Sequence, residues 1–346
     1  MTTPWNDTAF TVAMQHLAPG DKLSEVEFLK RLGTCQWDAI ARVLGRPTQE
    51  ITSEFHERLY ASWIDIELKF GAGHAPDRLG EGARIRVRNR VRVFAKRFVE
   101  GFFVFGEDEV SDALLQATKT RDDLRALDSS WCYMTNAFIA PVGGNTRLKV
   151  FKPAGIDDLS LPEAERTPAG IEDHARVQAT GRIAALDDGD AGLPLPVRDS
   201  APIPYAIVPE SDVNGAGLVY FARYVAMMNY AERLFLSDRL ERPLSQPLAT
   251  CLSTEHRRIY YFANAAPTDS VEIAVSASLL PPDRSPPSTP AARTRTPMRF
   301  VFRIDMLRGS DKVLMASSLV RKALNVPGDA KAVLLEADRF LAGLAV

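Results

Sequence analysis

The 346-residue sequence predicts an α+β protein in which an antiparallel sheet wraps around one long apolar helix, and in which this unit occurs twice. The order of strand, turn, helix and several further strands is found in both halves of the chain. A helix predicted over residues 218–240 is apolar on nearly every side, so it must be enclosed rather than laid on a surface. The length also suits two domains of about 150 residues each.

The first half opens with a strand predicted over residues 10–17. Ser24 followed by Glu27 is a capping-box sequence, which predicts the start of a helix. This helix is predicted to be interrupted at Gly33 and to end at Gly45-Arg46-Pro47. The hydrophobic period then changes to two, which is typical of strands. The predicted strands cover residues 59–68, 84–93, 98–105, 131–140 and 147–151.

The second half repeats this order. A strand over 204–208 precedes the long helix, and strands are predicted over 252–263, 270–280, 299–307 and 313–321, with a closing helix over 331–344. The proline-rich tract 281–297 is predicted as a surface loop. An antiparallel sheet curled around one long helix is the hotdog fold. The sequence therefore predicts a double hotdog, with domains over 1–155 and 201–346 and a Pro-, Gly- and Asp-rich connection over 156–200. The alternative, a parallel sheet built from βαβ units, would require more helices than the sequence predicts.

The composition narrows the classes of molecule that this protein is expected to bind. The 42 basic and 44 acidic side chains leave a net charge of −2, which points to neither nucleic acid nor a membrane surface. The sequence shows no secretory signal and no apolar run long enough to span a bilayer. Cys35, Cys132 and Cys251 are far apart and form no C-x-x-C pair, as expected of reduced thiols in a cytoplasmic protein. The five histidines are scattered, so no metal site is expected.

The segment most informative about chemistry is Asp212-Val213-Asn214-Gly215-Ala216-Gly217-Leu218-Val219-Tyr220-Phe221-Ala222-Arg223-Tyr224, at the predicted start of the long helix. It resembles the signature D-x-x-G-h-V-x-x-x-x-Y, which opens the central helix of hotdog acyl-CoA thioesterases. Glycines let the backbone approach a thioester carbonyl, and a helix N-terminus offers free N–H groups to an oxyanion. The alternative is an ordinary helix entry in which the glycines serve only a turn.

Asn214 departs from that signature. The 4-hydroxybenzoyl-CoA thioesterase family has a catalytic aspartate there, whereas a carboxamide is neither nucleophile nor base, although it donates and accepts hydrogen bonds. A hydrolase with that carboxylate mechanism is therefore not expected. Gly217 is a candidate for backbone contact with the thioester. The candidate substrate-binding residues on the loop and the first turns of the helix are Gly215, Leu218, Tyr220, Arg223 and Tyr224.

Both halves together are similar to a narrower family, the double hotdog acyltransferase/decarboxylases of leinamycin biosynthesis. The resemblance rests on Leu17-Ala18-Pro19-Gly20, Leu23-Ser24-Glu25 and Trp37 in the first half, and on the 212–222 segment, including its Asn, in the second. It implies transfer of an acyl group from a malonyl- or methylmalonyl-type CoA thioester, with decarboxylation, to the phosphopantetheine of an acyl carrier protein in polyketide-type biosynthesis. The resemblance implies no bound cofactor, and coenzyme A enters only as part of the substrate.

The same resemblance implies a role for Tyr60, because Leu59-Tyr60-Ala61 looks like the position of the family's important tyrosine on the first long strand. Three roles are open for Tyr60: an acyl-tyrosine nucleophile, a hydrogen-bond donor to the substrate's carboxylate or enolate, and a core tyrosine. A phenol is almost wholly protonated at neutral pH, so the first role needs an activating group. Asn136 and Asn264, on strands expected to border the domain interfaces, could each polarise a thioester; the alternative for both is a polar side chain whose hydrogen bonds are satisfied within the protein.

Two other classes of function are open. One is a hotdog thioesterase or dehydratase acting on acyl-CoA or acyl-carrier substrates, although a dehydratase needs a histidine and an acid that the sequence does not place together. The other is a non-catalytic module that binds an acyl carrier protein. Homodimer formation is also open.

A basic stripe on one predicted strand is the candidate docking surface for the carrier protein or for the phosphates of coenzyme A. Its residues recur at every second position, so on a strand they share one face: Arg84, Arg86, Arg88, Arg90 and Arg92. The alternative is a solvated face with acidic neighbours on the next strand.

Overall fold

The computed structural model of the chain describes residues 4–71, 74–107, 110–144, 147–186, 192–281, 298–326 and 330–344. Its strands are β1 (Asn6–Thr11), β2 (Leu17–Ala18), β3 (Lys22–Leu23), β4 (Tyr60–Lys69), β5 (Arg84–Phe94), β6 (Phe98–Gly106), β7 (Ser130–Pro141), β8 (Leu148–Val150), β9 (Leu193–Pro194), β10 (Ile203–Ala206), β11 (Leu252–Tyr261), β12 (Ser270–Leu279), β13 (Met298–Arg308) and β14 (Leu314–Leu324). Its helices are α1 (Glu25–Leu44), α2 (Asp112–Ala117), α3 (Arg121–Arg125), α4 (Ala169–Thr180), α5 (Pro209–Asp212), α6 (Phe221–Leu234), α7 (Gln246–Thr250) and α8 (Lys331–Leu344).

Strands from both halves of the chain form one antiparallel sheet. Its order is β1-β5-β6-β7-β4-β11-β14-β13-β12-β10, with β8 beside β7 and β9 beside β12. The first half therefore supplies one side of the sheet and the second half the other. They meet where β4 pairs with β11, with Ile66 opposite Ile259. The predicted α+β class is confirmed, whereas the predicted domain boundaries stay a prediction.

The two long helices pack against one face of this sheet and against each other. α1 begins at Ser24, whose hydroxyl accepts the N–H of Glu27, and it ends at Gly45, which adopts the left-handed conformation. The predicted interruption at Gly33 is wrong. The helix continues through Gly33. A glycine is needed at this position because a Cβ atom would lie 2.8 Å from the ring of Phe221 on α6.

Several predicted boundaries shift. The first strand ends at Thr11, because Met14–His16 form a 3-10 turn rather than extended backbone. The long helix begins at Phe221 instead of residue 218 and continues beyond Leu234 as a π-helical turn over Phe235–Arg239. The strands predicted from period-two patterning lie close to their predicted places. The predicted proline-rich loop falls almost wholly on residues 282–297, outside the described residues.

The connection between the halves contains α4, which the sequence did not predict. α4 contacts β4, β7 and β11. Asp65 and Glu67 on β4 alternate with the core residues Ile66 and Leu68, so α4 covers the face of the sheet opposite α1 and α6. None of the helices in the described segments is long and apolar enough to cross a membrane.

Candidate active site

The loop that leads into α6 is anchored by Asp212, which is buried. One of its carboxylate oxygens accepts the hydroxyl of Tyr205 at 3.0 Å and the N–H of Val208 at 2.9 Å, and the other accepts Nε of Arg223 at 2.8 Å. Burial opposes ionisation, yet these donors hold the pKa of Asp212 below its usual value. Asp212 and Arg223 therefore hold the loop in place, and Arg223 does not line the cavity described below.

Asn214 folds the loop around its own side chain. Its Oδ1 accepts the N–H of Ala216 at 2.9 Å and of Leu218 at 3.1 Å. Its backbone oxygen accepts the N–H of Gly217, whose φ of +73° favours glycine. Because Oδ1 meets two N–H donors, the orientation of the carboxamide is chemically fixed, and the Nδ2 group remains as a hydrogen-bond donor.

Asn264, just beyond β11, is bonded in the same manner. Its Oδ1 accepts the N–H of Val219 at 3.1 Å and the N–H of Ala265 at 2.7 Å. Within the described part of the chain, neither Asn214 Nδ2 nor Asn264 Nδ2 has a protein partner. Two carboxamide donors from different parts of the sequence are thus left available.

Both carboxamides line a cavity of about 530 Å³. Its walls are formed by the start of β4, the loop before α6 and the start of α6, and the end of β11. Residues of β7 and β8 and one residue each of α1 and α4 complete them. Of the residues predicted from the sequence, the following line the cavity: Tyr60, Asn214, Gly215, Leu218, Tyr220, Tyr224 and Asn264. Among the described residues, no aspartate or glutamate does.

Aromatic rings form much of the wall. Trp63 and Phe221 stack with ring centroids 3.8 Å apart. The Tyr224 hydroxyl donates to the carbonyl of Ala263 at 3.0 Å, and burial raises its pKa, so this phenol is a fixed neutral donor. The guanidinium of Arg58, which is exposed at the wall, lies 5.2 Å from the centroid of the Tyr60 ring.

His174 also lines the cavity, and the sequence analysis did not single it out. It comes from α4, its Nε2 lies 2.9 Å from the carbonyl oxygen of Tyr261, and its ring packs on Phe262. A carbonyl only accepts hydrogen bonds, so Nε2 carries the proton and Nδ1 holds a free lone pair. Burial lowers the pKa of His174, which keeps the imidazole neutral at pH 7. No sequence spacing signals this residue, because α4 itself lies in the predicted connection.

Asn136 lies elsewhere. It is fully buried in β7, its Nδ2 donates to the carbonyl of Ala61 at 3.1 Å, and its Oδ1 accepts Nε2 of Gln36 at 2.9 Å. The structure therefore does not bring Asn136 to the cavity. Gly217 does not line it either, although the turn that it forms positions the residues that do.

Three of the five arginines of β5 pair with carboxylates. Nε of Arg86 donates to both carboxylate oxygens of Asp7, at 2.9 and 3.0 Å, and Arg88 pairs with Asp112 at 2.6 Å. Arg92 pairs with Glu100 at 2.6 Å. Arg90 is buried, with its guanidinium 4.9 Å from the Trp5 ring centroid, whereas Arg84 is exposed. None of the five lines the cavity.

Comparison with known proteins finds similar solved structures but no similar sequence family. No protein-family model matches the chain, and no curated protein sequence does. An acyl-ACP thioesterase from Bacteroides thetaiotaomicron matches with a TM-score of 0.52 and 12% identity, over 92% of this chain and 97% of that one. A protein assigned as an oleoyl thioesterase, from Lactobacillus plantarum, matches with a TM-score of 0.56 and 10% identity, over 93% and 97%.

Together with the large antiparallel sheet and its helices, these matches show a hotdog-like α+β fold. At 10–12% identity these matches show the fold alone.

Proposed function

We propose that this protein is an enzyme that acts on acyl thioesters of coenzyme A or of an acyl carrier protein, and that its first reaction is hydrolysis. One observation carries the proposal: Asn214 and Asn264, whose Nδ2 groups have no protein partner in the described part of the chain, line the same cavity as His174. The two structures matched above, named as thioesterases, support the same class of substrate. The finer architecture that we propose is two tandem hotdog domains joined through β4 and β11.

In this mechanism the thioester carbonyl oxygen accepts hydrogen bonds from Nδ2 of Asn214 and Nδ2 of Asn264. Nδ1 of His174 takes a proton from a water molecule as the water oxygen attacks the carbonyl carbon. The negative charge that develops on the carbonyl oxygen is stabilised by the two amide donors. The carbon–sulfur bond then breaks and the sulfur receives the proton from His174, which yields a carboxylic acid and a free thiol.

This route does not require the aspartate that Asn214 replaces. The carboxylate mechanism is unsupported, because no acidic side chain lines the cavity among the described residues. His174 supplies the base instead. Its lowered pKa suits that role, because the imidazole stays unprotonated at neutral pH.

Arg58 is the residue that we propose for the phosphates of the substrate. It is exposed and lines the cavity, and no carboxylate of the described chain pairs with it. Coenzyme A and phosphopantetheine both carry phosphate next to the arm that delivers the thioester, and arginine's planar fork suits phosphate. We therefore favour Arg58 over the largely ion-paired arginines of β5 as the phosphate contact.

A second candidate function is decarboxylating acyl transfer, and one observation favours it: no described residue that lines the cavity is acidic. A malonyl-type substrate brings its own carboxylate, which meets no like charge among these lining residues. Loss of CO₂ leaves an enolate, which the amide donors stabilise and a proton converts to the saturated acyl group. Attack by the carrier's phosphopantetheine thiol then releases coenzyme A. Tyr60 lines the cavity and could donate its hydroxyl proton to the enolate.

One experiment separates the candidates. The purified protein is incubated with saturated, aromatic and malonyl-type acyl-CoA thioesters, with and without a phosphopantetheinylated carrier protein. Free thiol and CO₂ are quantified, and the carrier is analysed by intact mass. Thiol release without a carrier supports hydrolysis, whereas a carrier mass increase that requires CO₂ loss supports transfer. A protein that turns over none of these thioesters would leave only a binding function.

A further inference from the structure

A second cavity occupies the equivalent place in the other half of the sheet. It measures about 230 Å³ and is lined by the start of α1 and the start of β11. The first cavity is lined by the start of α6 and the start of β4, so the two cavities use corresponding elements with the halves exchanged. Because β4 and β11 are antiparallel neighbours, their starting residues lie at opposite ends of the pair.

An ionic cluster at the second cavity is balanced in charge. Glu25, Glu232 and Lys322 line the cavity, and the buried Arg257, which does not line it, contacts Glu25 at 2.5 Å and Glu232 at 3.2 Å. Lys322 forms an ion pair with Glu232 and donates to Oδ1 of Asn229 at 3.0 Å. Two cations and two carboxylates therefore cancel one another in this cluster.

Lys22 adds a further positive charge. Its ammonium donates to the carbonyl of Thr250 at 2.6 Å and to the carbonyl of Leu252. No carboxylate in the described residues lies within ion-pair distance of it. Two neutral carbonyls use two of its three N–H donors, so one donor and the full charge remain. Burial, with the neighbouring Lys322, lowers the pKa of Lys22 to about 8, and the more distant carboxylates of Asp77 and Glu232 oppose this shift only in part.

Ser253 provides an independent observation. This residue lines the second cavity and is 3% exposed, and its buried hydroxyl has no hydrogen-bond partner among the residues that the structure describes. A buried hydroxyl without a partner is costly, and a bound acceptor would satisfy it. The 20-residue helix α1 also begins at this cavity, with the positive end of its dipole there.

We infer that the second cavity is a binding site for a small oxyanion, a phosphate or carboxylate group, held by Lys22 and Ser253 at the N-terminal end of α1. The anion supplies the missing counter-charge of Lys22 and an acceptor for Ser253. The cavity has less than half the volume of the first, which suits a small ion or headgroup rather than an acyl chain. This site is separate from the thioester cavity and does not depend on the proposed reaction.

Isothermal titration calorimetry of the full chain with inorganic phosphate and, separately, with acetate tests the inference. The wild type should bind one anion per chain, and raising the pH from 7 to 9 should weaken binding as Lys22 loses its proton. Lys22→Met should weaken binding at least about tenfold, and Lys22→Arg should restore most of it. Lys30→Met is the matched control, because Lys30 on the same helix pairs with Glu27 at the surface. Binding of phosphate but not of acetate would identify the ligand as a phosphorylated compound. Binding of both probes would extend the class of ligand to carboxylates.

Since Lys22 also ties two backbone carbonyls together, Ser253→Ala is the second variant, and it should weaken binding without removing a charge. Arg58→Ser removes the proposed phosphate contact of the first cavity and so reports on anion binding there, and it should leave the affinity of the second cavity unchanged. The inference is overturned if the wild type binds neither probe. It is equally overturned if Lys22→Met and Ser253→Ala both bind as wild type does, or if only Arg58→Ser abolishes binding.

Discussion

Replacement of Asp65 by Asn should make this protein more stable at alkaline pH. Asp65 on β4 is fully buried, and in the described part of the chain no donor forms a hydrogen bond of good geometry with either of its carboxylate oxygens. The backbone of α4 closes over it so tightly that a Cβ atom at Gly170 would lie 2.1 Å from Asp65 Oδ1. Asparagine has nearly the same shape and no charge to bury.

The magnitude follows from the pKa. Burial raises the pKa of Asp65 from 3.8 to about 7, against the opposing effects of the Thr135 hydroxyl and the Arg121 guanidinium. Between about pH 4 and pH 7 the folded chain therefore holds a proton that the unfolded chain releases. The free energy of unfolding falls as the pH rises through this window and is level above it. The full difference between the pKa values in the folded and unfolded chain corresponds to a change of at most about 4 kcal/mol in the free energy of unfolding.

Urea unfolding of wild type and Asp65→Asn at pH 5 and pH 8 measures the effect. His256 also contributes to the pH dependence of the free energy of unfolding. Because its pKa is lowered, its contribution has the opposite sign to that of Asp65, and stability is lost as the pH falls below about 6.5. Both proteins contain His256, so comparison of the two cancels this contribution. The variant's advantage should grow by a few kcal/mol between pH 5 and pH 8. Asp38→Asn on the exposed face of α1 is the control. An advantage for Asp65→Asn that is the same at both pH values would refute the reasoning.

Three further predictions concern the cavity and the basic stripe. Tyr60→Phe should lower acyl transfer at least about 100-fold if the hydroxyl donates to the substrate, and wild-type transfer rates would assign Tyr60 to packing. Asn214→Asp keeps an acceptor for the loop but removes the Nδ2 donor, so thioester turnover should fall about 100-fold, and unchanged turnover would show that Asn214 does not touch the carbonyl. Combined Arg86→Ser and Arg88→Ser tests the docking proposal for the stripe while sparing buried Arg90. Docking there predicts a raised KM for carrier protein with a flatter salt dependence, and an unchanged KM at low salt would identify an ion-paired outer face.

Much of the fold was predictable because local signals agree with the final packing. Period-two alternation located β5 closely, and Ser24 and Gly45 marked both ends of α1. Gly33 misled the prediction, because a glycine in a helix is read locally as a break, whereas here it makes room for Phe221 from the other half. α4 was missed because its buried face has few apolar residues and includes Gly170 and Asp173.

The candidate site was only partly predictable for the same reason. Asn214 stands in a local motif, so its sequence neighbours reveal it. Asn264, Arg58 and His174 reach the cavity from three separate segments, and only the pairing of β4 with β11 and the placement of α4 bring them together. Asn136 was chosen by its place on a strand, but that strand position faces Gln36 inside the protein.

The most direct test of the proposed site is the rate of free-thiol release from acyl-CoA substrates by wild type, His174→Gln and His56→Gln. His56 is exposed and does not line the cavity, so it is the matched control. His174→Gln should lose at least about 100-fold in kcat/KM, the contribution of a general base. In the wild type, kcat/KM should decline only below about pH 6.5, since burial lowers the pKa of His174. Thiol release by His174→Gln at the wild-type rate, or no release by the wild type from any thioester, would contradict the account.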